Sequence, residues 1–226
     1  YAGADVSNYN ITDQTSTTAD ISAKALTATA SASNKVYDGS SAATVTLSLS
    51  GFIGSETVTS TNSSTFNNKN AGTGKTVTVN SITLADGTNG GLAANYSIST
   101  GQTTTANVTA KALTVSGITA SNKVYDSTTN VTTVLSFSGL IGSETINNTN
   151  SSTFDNKNIG TGKTVTVNSI TLVDGSNGGL ASNYSISSGQ TTTANVSARP
   201  LTVSNISASN KSYDGTTAVT LDTSNV

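Results

Sequence analysis

The sequence TGKTVTVNSITL at residues 73–84 returns without a change at residues 161–172. Valine alternates with threonine in this segment, which is typical of a half-buried β-strand. Tyr-Asp pairs begin at Tyr37, Tyr125 and Tyr213, so the interval is 88 residues each time. A period of about 88 residues is too long for one solenoid unit and long enough for a small domain with its own core. The chain is therefore predicted to be a tandem array of near-identical domains.

These repeat marks divide the sequence into four segments. Two complete repeats are predicted at residues 23–109 and 110–197, residues 1–22 are the C-terminal part of a truncated repeat, and residues 198–226 are the N-terminal part of another. Methionine is absent even at position 1, so we expect a window from a longer mature chain. Residues 103–115 contain neither glycine nor proline, and a linker of this kind is stiff. The array is therefore expected to be a rod.

Composition narrows the class of protein. Charged residues make up 10% and the net charge is −2, so no basic surface for nucleic acid is expected. No segment is apolar enough to insert into a membrane. Cysteine, methionine, tryptophan and histidine are all absent. Together with threonine-rich repeats, this composition suits an exported bacterial surface protein, and we expect an extracellular or cell-surface location.

The fold class predicted from these patterns is all-β. Residues 110–197 contain about six or seven short apolar segments separated by turn-forming residues, as in small sandwiches. No segment has the 3.6-residue period of an amphipathic helix. We therefore predict tandem small antiparallel β-sandwich domains of the immunoglobulin-like (Ig-like) kind. The alternative is a β-grasp-like sheet with one short helical turn at residues 139–145.

Breaks in the alternation predict local features of the strands. Ile118 falls out of phase with Leu113 and Val115, which places a β-bulge near Gly117. The repeated segment changes phase at residues 168–169, which places a second bulge there.

Two tyrosines are predicted to be buried. Tyr96 is in phase with Leu92, and Tyr184 is in phase with Leu180. Side chains two residues apart along a strand share one face, so we expect both tyrosines to point inward.

The candidate ligand-binding residues are the recurring Tyr-Asp pairs. Each aspartate is a candidate to bind a cation or a sugar hydroxyl beside a tyrosine ring. The favoured interpretation is structural, with the aspartate capping its own turn and the tyrosine filling the interior of the repeat or its junction with the next. The pairs are Tyr37 and Asp38, Tyr125 and Asp126, and Tyr213 and Asp214.

Other acidic residues favour structural roles. Asp86-Gly87 and Asp174-Gly175 begin glycine-rich segments with one acid each, whereas a Ca²⁺ loop normally supplies several carboxylates, so turns are predicted. Without histidine or cysteine, no serine has a visible base. We therefore predict no catalytic residue, no cofactor and no metal, and no enzymatic activity.

Lysine and glutamate suggest one further chemistry. Lys75 and Lys163, with Glu56 and Glu144, supply residue types that could form a lysine–asparagine crosslink. Asparagine is so frequent in this chain that its presence carries little information, and the crosslink is not favoured.

Five motifs recur in a fixed order along each complete repeat. In the first repeat they read KVYDG at 35–39, GFIGSET at 51–57, GTGKTV at 72–77, GLAANYSI at 91–98 and TANV at 105–108. This set resembles the YDG repeat, which occurs with the related MBG domains in large bacterial adhesins of the filamentous-haemagglutinin type. The resemblance implies secreted or surface-attached proteins in which such domains are tandem spacers, and it implies no catalytic residues.

The chain departs from this pattern at two places. Ser127 stands where the other two Tyr-Asp turns have Gly39 and Gly215, so a strict requirement for a positive φ is not expected at this position. Residues 199–200 are Arg-Pro, where the complete repeats have Lys-Ala.

The function expected from the sequence is that of a stiff, repetitive spacer in the stalk or fibre of a secreted bacterial surface adhesin. The expected partners are the neighbouring repeats of the same chain and identical chains in a fibre. The alternative is a multivalent module in which each repeat binds a surface glycan weakly and avidity supplies the strength.

Overall fold

The computed structural model of the chain describes residues 2–224. The chain divides into two compact units, with the division between Thr109 and Ala110. Across residues 2–224 the regular structure consists of β-strands and three 3-10 helices of one turn each, at Val6–Asn8, Ala93–Asn95 and Ala181–Asn183. The all-β class predicted from the sequence is confirmed.

The first unit contains two sheets. Its strands are β1 (Lys24–Ala32), β2 (Lys35–Val36), β3 (Ala42–Ala43), β4 (Val45–Ser50), β5 (Val58–Phe66), β6 (Gly72–Asp86), β7 (Tyr96–Ile98) and β8 (Thr103–Thr109). Five of them form one sheet in the order β2-β8-β6-β5-β3, and the other three form a sheet in the order β4-β1-β7.

The second unit repeats this arrangement. Its strands are β9 (Lys111–Ala112), β10 (Thr114–Ala120), β11 (Lys123–Val124), β12 (Asn130–Val131), β13 (Thr133–Ser138), β14 (Ile146–Phe154), β15 (Gly160–Asp174), β16 (Tyr184–Ser185), β17 (Thr191–Ser197), β18 (Ser207–Ala208) and β19 (Leu221–Asp222). The five-stranded sheet has the order β11-β17-β15-β14-β12, and β10 pairs with β13, β9 with β16 and β18 with β19.

Parallel pairs distinguish both units from a purely antiparallel sandwich. In the first unit β1 lies parallel to β7, and β2 lies parallel to β8. In the second unit β9 lies parallel to β16, and β11 lies parallel to β17. The prediction of antiparallel sheets is therefore corrected at these pairs. The physical reason is that the first strands of each repeat lie beside its last strands, which run in the same direction.

Both predicted bulges are confirmed. The pairing of β14 with β15 passes from Ser151↔Ser169 to Ser152↔Val167, which leaves Asn168 without a partner residue. The pairing of β10 with β13 also shifts register, between Val115 and Gly117. Each extra residue lets apolar side chains on both sides of the bulge face the core.

The core of each repeat is built from the valines of its longest strand. Val77 and Val79 in β6 are fully buried, as are Val165 and Val167 in β15. In the second unit Val165 packs with Phe154, Ala194 and Val196. A further cluster in the first unit consists of Leu26, Val58 and Tyr96.

The segment before each buried tyrosine follows the sequence-based prediction only in part. Tyr96 and Tyr184 are each 5% exposed, so both point inward as predicted. Leu92, which the alternation placed on the same face as Tyr96, is 51% exposed. The reason is the 3-10 turn at Ala93–Asn95, which interrupts the two-residue period between them.

The segment that would carry a helix in a β-grasp fold forms a turn instead. Within residues 139–145 the backbone N–H of Glu144 donates to the carbonyl of Ile141 (3.0 Å), and no helix is present there. The helical turn of the β-grasp alternative is therefore wrong, and residues 139–145 form a loop. Residues 10–23 and 198–206 have no regular secondary structure.

Candidate functional site

The Tyr-Asp turn of the first repeat is closed by a lysine. Lys35 in β2 places its ammonium 2.8 Å from Asp38 Oδ1, 2.8 Å from the carbonyl oxygen of Ser40 and 3.0 Å from that of Ala42. Asp38 Oδ1 also accepts the backbone N–H of Ser40 at 2.9 Å, which caps the turn. Lysine therefore supplies the positive charge that a bound cation would otherwise bring.

The same lysine-closed turn recurs in the later copies. Lys123 Nζ lies 2.7 Å from Asp126 Oδ1 and donates to Oγ1 and the carbonyl oxygen of Thr128 and to the carbonyl oxygen of Asn130. Lys211 Nζ lies 2.8 Å from Asp214 Oδ1. The sequence-based interpretation considered the aspartates alone. It overlooked the lysine that stands three residues before each aspartate and could have indicated the ion pair.

This lysine also links the two edges of the five-stranded sheet. Lys35 belongs to β2 at one edge, and Ala42, whose carbonyl it reaches, belongs to β3 at the opposite edge. The second repeat does the same from β11 to Asn130 in β12. Because a single side chain spans from edge to edge, the sheet curves until its free edges face each other.

The ion pairs set the electrostatics of the turns. Hydrogen bonds from Lys123 and then from the backbone and hydroxyl of Thr128 lower the pKa of Asp126 to about 2. The corresponding bonds from Lys211 lower the pKa of Asp214. Partial burial alone would raise the pKa of Asp38, but hydrogen bonds from Lys35 and the Ser40 N–H, with the lysine charge, outweigh it and lower the pKa.

The residue after each aspartate has a positive φ whatever its type. The φ angles are 79° at Gly39, 66° at Ser127 and 75° at Gly215. The expectation that this position does not require a positive φ is therefore wrong, because the serine adopts the strained conformation that glycine takes without cost.

The structure does not bring the tyrosine and the aspartate of a pair into one site. In the second repeat Asp126 lines a surface cavity of about 310 Å³, whereas Tyr125 lines a different one of about 520 Å³. Neighbouring residues of an extended backbone point to opposite sides, which explains the separation. The tyrosines also differ in exposure, since Tyr37 is 1% exposed, Tyr125 is half-buried and Tyr213 is 97% exposed.

The Asp126 cavity is the part of the site that recurs. Its lining is Ser121, Asn122, Lys123, Asp126, Asn130, Val131 and Thr132. A cavity of the same size, about 310 Å³, surrounds Asp214, and its lining residues are those 88 positions later: Ser209, Asn210, Lys211, Asp214, Ala218, Val219 and Thr220. Polar side chains and one aspartate in a shallow cavity could hydrogen-bond the hydroxyls of a sugar.

The Asp-Gly turns serve the fold. Asp86 Oδ1 accepts the backbone N–H of Ala93 at 2.7 Å, and Asp174 does the same for Ala181. A Cβ added to Gly87 would lie 2.1 Å from the carbonyl oxygen of Thr57. Glycine is required there because the backbones approach so closely, which accounts for the composition of the loop without a bound ion.

A buried tyrosine bonds a glutamate and holds the loop at residues 51–57 in the first repeat and 139–145 in the second. The hydroxyl of Tyr96 donates to Glu56 Oε2 at 2.6 Å and accepts the backbone N–H of Ile53. In the second repeat Tyr184 donates to Glu144 Oε2 at 2.7 Å. The hydrogen bond to the glutamate raises the pKa of Tyr96. Sequence reasoning found the tyrosines but not their partners, since loop and strand are 40 residues apart.

The lysines of the crosslink hypothesis contact asparagines but not the glutamates it named. Lys75 Nζ donates to Asn68 Oδ1 and Lys163 Nζ to Asn156 Oδ1, both at 2.5 Å. The acid beside Lys163 is Asp155, at 3.0 Å. Burial lowers the pKa of Lys75.

Residues 2–224 lack both a cluster of metal-ligating side chains and a helix that could span a membrane. Within this range no three acidic, histidine or cysteine side chains come together as they would around a metal ion. The same range contains no helix with the length and apolar character that crossing a membrane requires.

Comparison with known proteins identifies a family. Residues 22–106 and residues 109–194 each match the sequence model of the YDG domain. The two matches together cover more than half of the chain. No curated protein and no solved structure matches it.

Proposed function

Because the chain belongs to the YDG-domain family, which it matches twice in tandem, we propose that it is a structural spacer. It is a non-catalytic segment of the stalk or fibre of a secreted bacterial surface adhesin, placed at the cell surface or outside the cell. Its partners are the neighbouring repeats of the same chain and identical chains in a fibre. Each repeat acts as a sandwich-like, Ig-like unit that adds length.

The main support for this proposal is that the recurring charged groups of each repeat form hydrogen bonds within that same repeat. Asp38 and Asp126 accept hydrogen bonds from their own lysines, and those lysines hold the edges of their own sheet together. Glu144 is 7% exposed and bonds a tyrosine of the same repeat. If these residues recurred in order to bind an external ligand, we would expect their charged groups to point to solvent instead of bonding within the repeat.

The connection between the repeats supports a stiff spacer. Strand β8 ends at Thr109 and β9 begins at Lys111, so Ala110 is the one residue between them. A connection of one alanine, flanked by strands without glycine or proline, leaves little backbone freedom.

Small-angle X-ray scattering on residues 23–197 tests the proposal. We expect the parent to scatter as an extended pair with a narrow distribution of lengths. Insertion of Gly-Gly-Ser after Thr109 should broaden that distribution while the unfolding midpoint of each repeat stays the same. Insertion of Thr-Val-Thr at the same place is the matched control, because it adds equal length without the flexible residues. A parent that scatters as two freely jointed units would contradict the spacer.

A second candidate function is weak multivalent glycan binding, and the recurring cavity favours it. The cavities around Asp126 and Asp214 have corresponding linings and the same volume. Linked weak sites gain strength through effective concentration.

A glycan array probed with the whole chain tests this second function. Reproducible binding that is lost in Asp126→Asn but kept in Tyr125→Phe would place the ligand in the Asp126 cavity, because the two residues line different cavities. Asp155→Asn is the matched control, an exposed aspartate that also pairs with a lysine but lies outside the cavity. Absence of any hit would leave the spacer as the function.

A further inference from the structure

The strands at the two ends of each repeat lie side by side and run in the same direction. In the first repeat β2 pairs with β8 through Lys35↔Val108 and Val36↔Thr109. In the second, β11 pairs with β17 through Lys123↔Val196 and Val124↔Ser197. A second parallel pair has the same arrangement in each repeat: β1 is parallel to β7 in the first repeat, and β9 is parallel to β16 in the second.

This pairing determines how tension would load the repeat. The chain enters the first repeat at β1, continues into β2, and leaves it from the end of β8. Tension along the chain therefore pulls the segment β1–β2 towards the N-terminal attachment while it pulls β8 the opposite way, and because β2 and β8 are parallel the two strands are drawn past each other along the strand axis. The hydrogen bonds between them are perpendicular or slanted to that axis, so they are loaded together in shear. Strands of an antiparallel hairpin that are pulled apart at the open end lose their bonds one after another.

We propose that each repeat is a mechanical clamp, in which the parallel pairing of its N-terminal strands with its C-terminal strands resists unfolding when the chain is pulled from its two ends. The function is load-bearing, and it rests on the proposed role as a spacer in a surface fibre. It adds a property that a spacer need not have, namely a slow rate of unfolding under tension.

Further hydrogen bonds, from the backbone and from side chains, reinforce the clamp beyond the short ladder of β2 and β8. The backbone N–H of Asn107 donates to Asn34 Oδ1 at 2.7 Å, and the N–H of Tyr37 donates to the carbonyl oxygen of Thr109 at 2.8 Å. In the second repeat the N–H of Asn195 donates to Asn122 Oδ1 at 2.7 Å. These bonds cross between the same two segments, so tension must break them along with the ladder.

The lysine-closed turn links β2 of the clamp to β3 at the opposite edge of the sheet. Lys35 lies within β2, and its ammonium is held by Asp38 and by backbone carbonyls on the way to β3 at the other edge of the sheet. Sliding β2 along β8 would therefore also have to break the bond from Lys35 to Ala42, which belongs to β3. The residues of the recurring motif thus lie on the path that carries the force.

Single-molecule force spectroscopy on the full chain, held between marker domains at its two ends, tests the clamp. The double variant Asn34→Ala/Asn122→Ala removes one bond of the clamp in each repeat. At a fixed force we expect it to unfold about fivefold faster than the parent, the factor that corresponds to one hydrogen bond of ordinary net strength.

The matched control is Asn80→Ala/Asn168→Ala. These exposed asparagines each bond a threonine hydroxyl, Thr65 or Thr153, within the hairpin β5–β6 or β14–β15. We expect this control to unfold at the parent's rate under force. Equal acceleration in both double variants would overturn the clamp, and so would no acceleration in either.

The direction of pulling gives a second test. The chain has no cysteine, so Thr59→Cys and Ala85→Cys provide the only thiols for two handles at the open end of the hairpin β5–β6, where these residues are paired. Pulling there should unfold the first repeat at a several-fold lower force than end-to-end pulling. Equal forces in the two directions would overturn the clamp. Scattering that shows a stiff pair would leave the spacer intact in that case, so the two failures are distinguishable.

Discussion

The second complete repeat is one residue longer than the first, and the strand pairing shows how the fold accommodates the extra residue. Leu26 and Tyr37 are eleven positions apart, whereas Leu113 and Tyr125 are twelve apart. Strand β1 pairs with β4 without interruption, but β10 pairs with β13 across a bulge that skips Ser116. At both ends of this ladder the two repeats pair corresponding residues. At one end, for example, Ala32↔Val45 corresponds to Ala120↔Thr133. An insertion is therefore tolerated where a strand can bulge, since the inward face is kept on both sides.

The largest effect is expected where the two repeats are most alike. Tyr184→Ala in the second repeat should cost about 3–5 kcal/mol in the free energy of unfolding, the usual range for a buried aromatic residue. Tyr184→Phe removes only the hydroxyl that bonds Glu144 and should cost about 1–3 kcal/mol. Urea unfolding followed by hydrogen exchange of peptides from each repeat measures both.

The tyrosine–glutamate hydrogen bond is expected to contribute more to stability in the second repeat than in the first. Glu144 is buried, whereas Glu56 in the first repeat is only half-buried. We therefore expect Tyr184→Phe to cost more than Tyr96→Phe, because water can reach Glu56 more easily. Equal costs would show that the burial of the carboxylate does not matter.

A smaller effect, of opposite sign in the two repeats, is expected at the residue after the Tyr-Asp pair. Ser127→Gly should stabilise the second repeat and Gly39→Ser should destabilise the first, each by about 0.5–1 kcal/mol. The reason is that both positions have a positive φ, which glycine adopts without steric strain. Thermal unfolding of each single variant against the parent tests this, and the same sign for both would refute it.

Deletion of Ser116 should convert the second repeat to the length of the first with little change in stability. We expect less than about 1 kcal/mol, because the bulge closes and the paired residues on either side stay in register. Deletion of Thr119 is the control, since it lies beyond the bulge and its loss would turn the following side chains to the wrong face. Similar stability for the two deletions would contradict this account of the bulge.

The smallest expected effect is a difference in acid sensitivity. Asp155 pairs with Lys163, and this hydrogen bond lowers the pKa of Asp155, whereas the first repeat has Asn67 at the corresponding position. A carboxyl group with a lowered pKa stabilises the fold above its unfolded pKa, and that contribution is lost as pH falls through the folded pKa. Between about pH 4 and pH 2 the second repeat should therefore lose more stability than the first.

A pair of variants tests whether the Asp155–Lys163 ion pair causes the difference in acid sensitivity. Asp155→Asn should remove the excess acid sensitivity of the second repeat, and Asn67→Asp should introduce it into the first, next to Lys75. Unfolding midpoints across an acid pH series provide the measurement. If Asp155→Asn leaves the pH profile unchanged, the Lys163 ion pair is not the source.

The features predicted correctly from the sequence are those set by neighbouring residues. The two-residue period of a strand is local, so the phase change at Ile118 was enough to locate the bulge near Gly117. The same period placed Tyr184 inside. It failed at Leu92 because a 3-10 turn follows, and the alternating residues give no sign of such a turn.

The features that were missed depend on contacts between distant parts of the chain. The parallel pairing of β2 with β8 joins residues that are 73 positions apart, Lys35 and Val108, and alternation within a strand does not specify its neighbour. The bond from Tyr184 to Glu144 spans 40 positions. The lysine of each turn was within reach of sequence reasoning, because its spacing to Asp38, Asp126 and Asp214 never varies.

The lysine that joins the two edges of each five-stranded sheet also bears on how a chain of near-identical repeats avoids misassembly. Segments 73–84 and 161–172 are identical, so a strand of one repeat fits the sheet of the other as well as its own. Tandem domains of this similarity are prone to exchange strands while they fold. Exchange begins at a free edge, where backbone groups await a partner. Lys35 and Lys123 occupy carbonyl groups at those edges, so each repeat, once folded, offers its twin fewer places to pair.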